Sequence, residues 1–296
     1  MDLQNTATEL FLGIDIGSTT AKIVLRDGDE ILLERYERHF SQVREKTAEL
    51  LRLAKEIAGD KAVKAAISGS AGLGLAEAAH IPFVQEVFAT AQVVKLREPD
   101  TSCVIELGGE DAKIIFFKGV IDERMNGSCA GGTGAFIDQM ATLLNITVDE
   151  LDKLSLNAGR LYPIASRCGV FAKTDIQPLL NQGARKEDVA ASIYQAVVNQ
   201  TIAGLAQGRK IDGKVLFLGG PLYYCKGLRT RFKETLKLDD EHAVFPVYAR
   251  FAVALGASYY AGQQPEIFTA DELLSLVENA ANVSSGKGRL KPLFSG

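Results

Sequence analysis

The sequence of 296 residues predicts an α/β fold made of two related halves. Two observations lead to this prediction. Residues 14–25, IDIGSTTAKIVL, align without a gap with residues 105–116, IELGGEDAKIIF, and each copy is followed by segments of helical periodicity. In addition, 47% of the residues are hydrophobic, and a chain of this length can bury a large core in two subdomains.

The two aligned segments preserve a turn and an acidic residue together, which chance similarity between strands rarely does. The acid is Asp15 in the first copy and Glu106 in the second. Five further positions are identical, and the pairs are Ile14 and Ile105, Gly17 and Gly108, Ala21 and Ala112, Lys22 and Lys113, and Ile23 and Ile114. We therefore interpret the segments as copies of one structural repeat.

In the first half, residues 11–36 predict three strands joined by a tight turn at Gly17-Ser18-Thr19 and a hairpin turn at Asp27-Gly28. A helix is predicted over 40–59. Short strands are then predicted at VKAAISG and IPFVQEV (81–87), followed by a helix at FATAQVVKL. The segment GSAGLG (69–74) has glycines near Rossmann spacing but opens no long βαβ unit, so we interpret it as a loop.

In the second half, helices are predicted at GAFIDQMATLLN, at VAASIYQAVVNQTIAGLAQG and at KGLRTRFKETL. KVLFLGG and AVFPV predict strands, and ARFAVALGASYYAG closes the ordered domain near Gly262. The predicted division is therefore 1–100 for the first half, 101–262 for the second, and 263–296 for a helix-like piece with a Ser/Gly/Lys linker.

Charge and composition exclude several classes of function. The formal net charge of -4 gives no basic field for nucleic acid or an anionic membrane. No apolar run is long enough to span a bilayer, and no basic-then-apolar leader opens the chain, so we expect a cytoplasmic protein. No glycine run continues into Gly-Lys-Ser/Thr, which argues against a P-loop.

The paired hairpins suit a nucleotide site. Glycine turns allow backbone N–H groups to approach phosphates, and Asp15 and Glu106 can hold a hydrated Mg²⁺. The alternative is that the glycines only form hairpins and the acids only cap turns; the matched pair, together with a strand ending at Gly219-Gly220, favours the nucleotide. The pattern resembles the actin, sugar-kinase and heat-shock ATPase superfamily, which implies two ribonuclease-H-like halves around a nucleotide cleft.

Two of the four cysteines lie directly before helical patterns, Cys129 in NGSCAGGTG and Cys168 in ASRCGVF. A helix N-terminus lowers a thiol pKa and stabilises an anionic metal–sulfur centre. A 4Fe-4S cluster takes four cysteines, so Cys103 and Cys225 could complete it, or a two-fold dimer could share it. The dimer is favoured because Cys103 lies in the apolar strand TSCVIEL and Cys225 follows two tyrosines.

NGSCAGGTGAFID and SRCGVFAKTDI, set on GIDIGSTTAK and ELGGEDAK, resemble the ATP-dependent activators of 2-hydroxyacyl-CoA dehydratases and the ATP-binding subunits of benzoyl-CoA reductases over roughly residues 11–262. That resemblance implies one 4Fe-4S cluster shared by two subunits or two repeats. It also implies an ATPase that takes an electron from ferredoxin or flavodoxin and delivers it at low potential to a dehydratase- or reductase-type iron–sulfur enzyme.

The resemblance also implies roles for individual residues. Cys129 and Cys168 would ligate the cluster, and Asp15, Glu106 and Asp111 would be catalytic. The residues expected to bind ATP or ADP are Gly17, Ser18, Thr19, Lys22, Gly108, Gly109, Gly219 and Gly220. Gly132, Thr133 and Gly134 are expected at the phosphate end, so that one short segment would join the nucleotide to Cys129.

Two departures accompany this resemblance. The loop Gly220–Cys225 is bulkier than expected in small activators, and residues 263–296 resemble the joint of long activator-like proteins in which a second domain copy follows. The alternatives are a small-molecule kinase, acting for instance on an amino sugar, or a nucleotide-switched scaffold with inert thiols. Neither needs iron, which distinguishes them from an activator.

Overall fold

The computed structural model describes residues 9–126, 131–165 and 169–280. It divides into two compact units. Unit 1 comprises Met1–Gln92 with Val253–Gly296, and unit 2 comprises Val93–Ala252. The predicted class of two related α/β halves is confirmed, because each unit contains one mixed sheet with helices packed on it.

Unit 1 is built on a four-stranded sheet of order β3-β2-β1-β4, in which β1 pairs antiparallel with β2 and parallel with β4. Its elements are β1 Leu10–Ile16, β2 Thr20–Asp27, β3 Glu30–Arg38, α1 Val43–Ala58, β4 Val63–Ser68, α2 Leu73–Ala79 and, starting in this unit, α3 Glu86–Arg97.

Unit 2 is built on a five-stranded sheet of order β7-β6-β5-β8-β9, which repeats the topology of the first sheet and adds an edge strand. Its strands are β5 Thr101–Leu107, β6 Ala112–Phe116, β7 Asp122–Met125, β8 Lys214–Leu218 and β9 Ala243–Val244. Its helices are α4 Gly134–Leu143, α5 Val148–Ser155, α6 Gly169–Asn181, α7 Lys186–Thr201 with the π-helix Ile202–Ala206, α8 Gly220–Tyr224, α9 Lys226–Leu236 and the 3₁₀-helix Ala249–Phe251.

The strand register confirms the sequence repeat residue by residue. Asp15 lies opposite Lys22 across β1 and β2, and Glu106 lies opposite Lys113 across β5 and β6. The parallel neighbours agree as well, because β4 ends opposite the acid of β1 and β8 ends opposite the acid of β5. The two acids therefore occupy equivalent positions in the two sheets.

The chain returns to unit 1 after residue 252 through α10 Ala252–Ala261 and α11 Ala270–Asn279. Helix α11 begins with a capping box at Thr269 and buries Leu273 and Val277 in the core of unit 1. Lys55 of α1 forms an ion pair with Asp271. The ordered structure thus extends beyond Gly262, and residues 253–262 belong to unit 1 rather than to the second half as predicted, because their apolar faces pack there.

A second correction concerns residues 81–87, which were predicted as a strand. Only Phe83 bridges to the sheet, opposite Ile67. Pro82 has no N–H to donate, and α3 starts at Glu86, so the extended segment is too short for a strand. Among the described residues, no helix is both long and apolar enough to cross a membrane.

Candidate functional site

Hairpin 1, formed by β1 and β2, holds a buried carboxylate beside a tight turn. Asp15 is 4% exposed, and its Oδ2 lies 2.7 Å from Nζ of Lys22. The turn closes where the N–H of Gly17 donates to the carbonyl of Thr20 at 3.0 Å. Ser18, at the tip, is exposed. The hairpin therefore presents backbone and hydroxyl groups next to a charged pair, as phosphate binding requires.

Gly69 was not assigned to the site from the sequence, and the structure places it against hairpin 1. It follows β4 directly, at φ +95°, in the left-handed region. A Cβ at this position would overlap the carbonyl of Ile16 and lie 2.6 Å from Oδ1 of Asp15. A glycine is thus required where the loop GSAGLG approaches the acid.

Hairpin 2, formed by β5 and β6, repeats this arrangement in unit 2. Glu106 is 8% exposed, and the N–H of Gly108 donates to the carbonyl of Asp111 at 2.8 Å, as Gly17 does to Thr20. Nζ of Lys113 lies 2.8 Å from Oδ2 of Asp111. The lysine of this hairpin therefore pairs with an acid of the turn, whereas Lys22 pairs with the acid on the neighbouring strand.

The start of α4 is hydrogen-bonded to hairpin 2. The N–H of Gly134 donates to the carbonyl of Gly108 at 3.0 Å, and the N–H of Ala135 donates to the carbonyl of Gly109 at 2.7 Å. Thr133, the N-cap residue, is fully buried. Gly134 therefore lies against hairpin 2 within unit 2, and two N–H groups of the helix start donate to hairpin carbonyls. The predicted contact of this segment with a phosphate stays a prediction.

Gly219 and Gly220 lie at the end of β8, at the position in unit 2 that Gly69 holds in unit 1. Gly219 has φ +95°, and a Cβ there would overlap the carbonyl of Leu107. Its N–H donates to the carbonyl of Ala249 at 2.9 Å. A Cβ on Gly134 would lie 3.3 Å from Cγ of Pro221, so the glycine pair, α4 and hairpin 2 meet at one place.

The bulky loop after the glycine pair forms the short helix α8. The Arg250 guanidinium lies 4.5 Å from the ring centroid of Tyr223, and its Nη1 donates to the hydroxyl of Tyr224 at 2.7 Å. Tyr224 is 48% exposed. This cation–aromatic group offers flat faces to solvent next to Gly220.

Cys129 and Cys168 lie outside the described residues, so their predicted roles rest on the flanking structure. The helices predicted after each cysteine are present, with α4 starting at Gly134 and α6 at Gly169. Between α5 and α6, the N–H of Gly159 donates to Oδ1 of Asp188 at 2.7 Å. The N–H of Tyr162 donates to Oγ of Ser192 at 2.8 Å. Side chains of α7 therefore hold the chain between α5 and α6, ahead of Cys168, by hydrogen bonds.

The other two cysteines are buried as expected. Cys103 is 1% exposed and Cys225 is 3% exposed. Burial raises the pKa of the Cys103 thiol to about 12 and that of the Cys225 thiol to about 11. Burial therefore disfavours the thiolate form of both cysteines, which is the form that binds metals. Among the residues that the structure describes, no three His, Cys, Asp or Glu side chains cluster as a metal site.

A sequence model of the BadF/BadG/BcrA/BcrD ATPase family matches residues 12–261, so the chain belongs to this family. It is 31% identical over 258 residues to the (R)-2-hydroxyglutaryl-CoA dehydratase activating ATPase of Acidaminococcus fermentans, covering 84% of this chain and 96% of that protein. It is 30% identical over 258 residues to the activator of lactoyl-CoA dehydratase of Anaerotignum propionicum, again covering 84% and 96%. A benzoyl-CoA reductase component of Thauera aromatica is 28% identical over 233 residues, covering 76% and 82% respectively.

Solved structures of two relatives have the same fold as this chain. Component A of the Acidaminococcus fermentans dehydratase superposes with a TM-score of 0.75 at 29% identity, covering 86% of this chain and 98% of that one. The activator of 2-hydroxyisocaproyl-CoA dehydratase from Clostridium difficile, solved with bound ADPNP, gives 0.72 at 26% identity, covering 93% and 100%. The predicted actin-like ATPase fold, with duplicated ribonuclease-H-like halves, is confirmed.

Proposed function

We propose that this protein is an ATP-hydrolysing iron–sulfur protein that delivers a low-potential electron to a partner CoA-ester dehydratase or reductase. The main support for this proposal is the attachment of hairpin 2 to the helix that follows Cys129. Hairpin 2 is hydrogen-bonded through Gly108 and Gly109 to the first residues of α4, and Cys129 lies five residues before that helix. A kinase has no need for a cysteine there, whereas an ATP-driven electron carrier does.

On the nucleotide side, the chain supplies an acid and a glycine turn twice. In each hairpin the acid, Asp15 or Glu106, would bind the water shell of Mg²⁺, and the lysine, Lys22 or Lys113, would bring positive charge to a phosphate. The exposed Ser18 offers its N–H and hydroxyl to a phosphate oxygen. The close packing at Gly69 and Gly219 keeps the acids in fixed positions. ADPNP bound to the Clostridium difficile relative supports nucleotide binding by this chain.

On the cysteine side, Cys129 and Cys168 are the proposed ligands of a 4Fe-4S cluster, which would supply a one-electron carrier. Two cysteines provide half of the ligands, so a second copy of the domain, either a second subunit or a second repeat, would provide the rest. Cys103 and Cys225 are the less favoured ligands, because they are buried in the core of unit 2 and burial raises the pKa of both thiols.

The proposed coupling between the nucleotide and the cluster depends on the hydrogen bonds that join α4 to hairpin 2. Hairpin 2 and the N-terminus of α4 share two backbone hydrogen bonds, so displacement of the turn by a change at the nucleotide displaces the helix start as well. Helix position alters the hydrogen bonding and solvent exposure around the cysteine ahead of it, and both set the potential of an iron–sulfur centre.

The proposal is tested by reconstituting the protein with iron and sulfide without oxygen and measuring iron content, visible absorption and sedimentation. We expect about four irons per two domain copies. Cys129→Ser and Cys168→Ser should each lose the iron and the association that depends on it, while Cys225→Ser serves as a matched control that keeps both. A full cluster in either of the first two variants would overturn the ligand assignment.

The ATPase part of the proposal is tested separately. Wild-type protein with and without reconstituted iron should hydrolyse Mg-ATP. The iron-loaded form, once reduced by ferredoxin or flavodoxin, should pass that electron to a dehydratase of this type only when ATP is present. Iron-independent phosphorylation of a sugar or other small molecule would instead identify a kinase.

A further inference from the structure

His39 connects the tip of hairpin 1 to the start of α1. Its Nε2 lies 2.9 Å from the carbonyl oxygen of Gly17, and its backbone N–H donates to the carbonyl of Thr19 at 3.2 Å. The N–H of Ser41 donates to its Nδ1 at 3.1 Å. The residue is 4% exposed. Two carbonyls of the phosphate turn are therefore held by one residue that lies 22 positions from Gly17.

The hydrogen-bond partners of the His39 ring determine which ring nitrogen donates and which accepts. A carbonyl oxygen only accepts, so Nε2 carries the proton that goes to Gly17. The Ser41 N–H only donates, so Nδ1 carries none. Both ring nitrogens are thus engaged, and two hydrogen bonds on opposite sides fix the plane of the imidazole.

The backbone after His39 is bent so that the ring reaches the turn. Phe40 and Ser41 have φ values of 48° and 64°, two consecutive left-handed residues that are not glycine. The side chain of Phe40 is 77% exposed, so burial of that ring does not explain the bend. Such conformations persist where the surroundings hold them, and the hydrogen bonds of His39 do so here.

Fixing the Gly17 carbonyl also fixes the next N–H. The peptide between Gly17 and Ser18 is trans and planar, so its N–H points opposite to its C=O. With the carbonyl directed at His39, the N–H of Ser18 is directed away from it, at the exposed tip of the turn. In hairpin 2 the equivalent carbonyl, that of Gly108, is also held, but by the N–H of Gly134.

We propose that His39 is a positioning residue that aims the Ser18 N–H at a phosphate oxygen of the nucleotide. The inference rests on the proposed function, because it takes the ligand of hairpin 1 to be a nucleoside di- or triphosphate. His39 itself touches no substrate; it orients the peptide that does.

Two amide variants separate the two hydrogen bonds of the ring. In His39→Asn, the amide oxygen can take the place of Nδ1 and accept from Ser41, but no group reaches Gly17. In His39→Gln, the longer amide can donate to Gly17 in the place of Nε2. The experiment is titration calorimetry of each variant with Mg-ATP and with adenosine, after thermal unfolding has shown that both variants are folded.

We expect His39→Asn to bind Mg-ATP about tenfold more weakly than wild type and adenosine with unchanged affinity, since one hydrogen bond to a charged oxygen is misdirected. His39→Gln should restore Mg-ATP affinity to within roughly threefold of wild type. Wild-type affinity for Mg-ATP in His39→Asn, or an equal loss for adenosine, overturns the inference. Absence of Mg-ATP binding by the wild type would instead defeat the proposed function.

Discussion

Hairpin 1 and hairpin 2 have the same strand register, but different parts of the chain hold their turns. The carbonyl of Gly17 accepts from the imidazole of His39, a side chain on the loop before α1. The carbonyl of Gly108 accepts from the N–H of Gly134, the first residue of α4. The lysines differ too, because Lys22 pairs with Asp15 and Lys113 pairs with Asp111.

The difference shows which parts of a duplicated site can diverge. The strands and the glycine that closes each turn are constrained by the neighbouring strand, and on the proposed function the acids are constrained by the nucleotide. The attachment of the turn is not, since any donor that reaches the carbonyl fixes the peptide. Hairpin 1 is held by a local side chain, whereas hairpin 2 is held by the helix that follows Cys129. On the proposed function, hairpin 2 is the half that transmits the state of the nucleotide.

The largest expected effect tests whether the two acids are functionally equivalent. On the proposed function, we expect Asp15→Asn and Glu106→Gln each to lower the rate of Mg-ATP hydrolysis by roughly 100-fold, because each removes a negative charge proposed to bind hydrated Mg²⁺. Circular dichroism should show both variants folded. If one of them hydrolyses Mg-ATP at the wild-type rate, the hairpins are alike in structure only.

The next effect tests the equivalence of the glycines that end β4 and β8. Gly69→Ala and Gly219→Ala should each lower the free energy of unfolding by about 3 kcal/mol, because a Cβ overlaps a backbone carbonyl in both places. Gly28→Ala is the matched control, with φ +55° but nothing within 4 Å of its Cβ, and should cost about 1 kcal/mol. Urea denaturation measures all three; equal costs would mean that the close approach contributes nothing.

A smaller effect concerns Cys103, which holds the place in β5 that Leu12 holds in β1. We expect Cys103→Ser to lower the free energy of unfolding by about 2 kcal/mol, because it buries a hydroxyl in the core. Cys103→Ala keeps the site apolar and should cost less. Neither should change the iron content. Loss of iron in a folded Cys103→Ser variant would show that the second sheet, unlike the first, supplies a cluster ligand.

The smallest expected effect concerns Asp188 of α7, which holds the segment between α5 and α6 ahead of Cys168. Backbone N–H groups of Gly159 and Arg160 hydrogen-bond to Asp188 and lower the pKa of that carboxyl below its ordinary value. The stability that this provides is present above about pH 4 and is lost as the pH falls through the lowered pKa. In Asp188→Asn that part of the acid dependence should disappear, which urea titrations between about pH 3 and pH 6 would reveal. The same acid dependence in both proteins would exclude Asp188 as its source.

Much of the fold could be predicted from the sequence, because the two copies of the repeat align residue by residue and so predict the same strand pairing. Identical residues such as Lys22 and Lys113 align the strands, and the strand pairing has that alignment. Gly69 was missed because the sequence identity stops after the second strand, and its loop could be compared only with a dinucleotide motif. His39 was missed because its role depends on a bend of two left-handed residues, which no local pattern indicates.

The sequence also could not predict where helix α11 packs. Residues 270–279 have the amphipathic pattern of a helix, but the pattern does not say which surface the helix covers. Glu278 of this helix pairs with Arg52, which lies 226 positions away, and only the folded structure brings them together. The role predicted for Cys129 and Cys168 stays a prediction, since both lie outside the residues that the structure describes.

The return of the chain to unit 1 has a consequence for biosynthesis. A ribosome synthesises residues 93–252 in full before the chain of unit 1 is complete, since α10 and α11 follow residue 252. Unit 2 can therefore reach its final fold while the sheet of unit 1 still lacks two of its covering helices. During that interval the apolar faces of β1 and α1 are open to other chains. We expect nascent chains that stop before residue 270 to depend on chaperones, and chains that include α11 to be released from them.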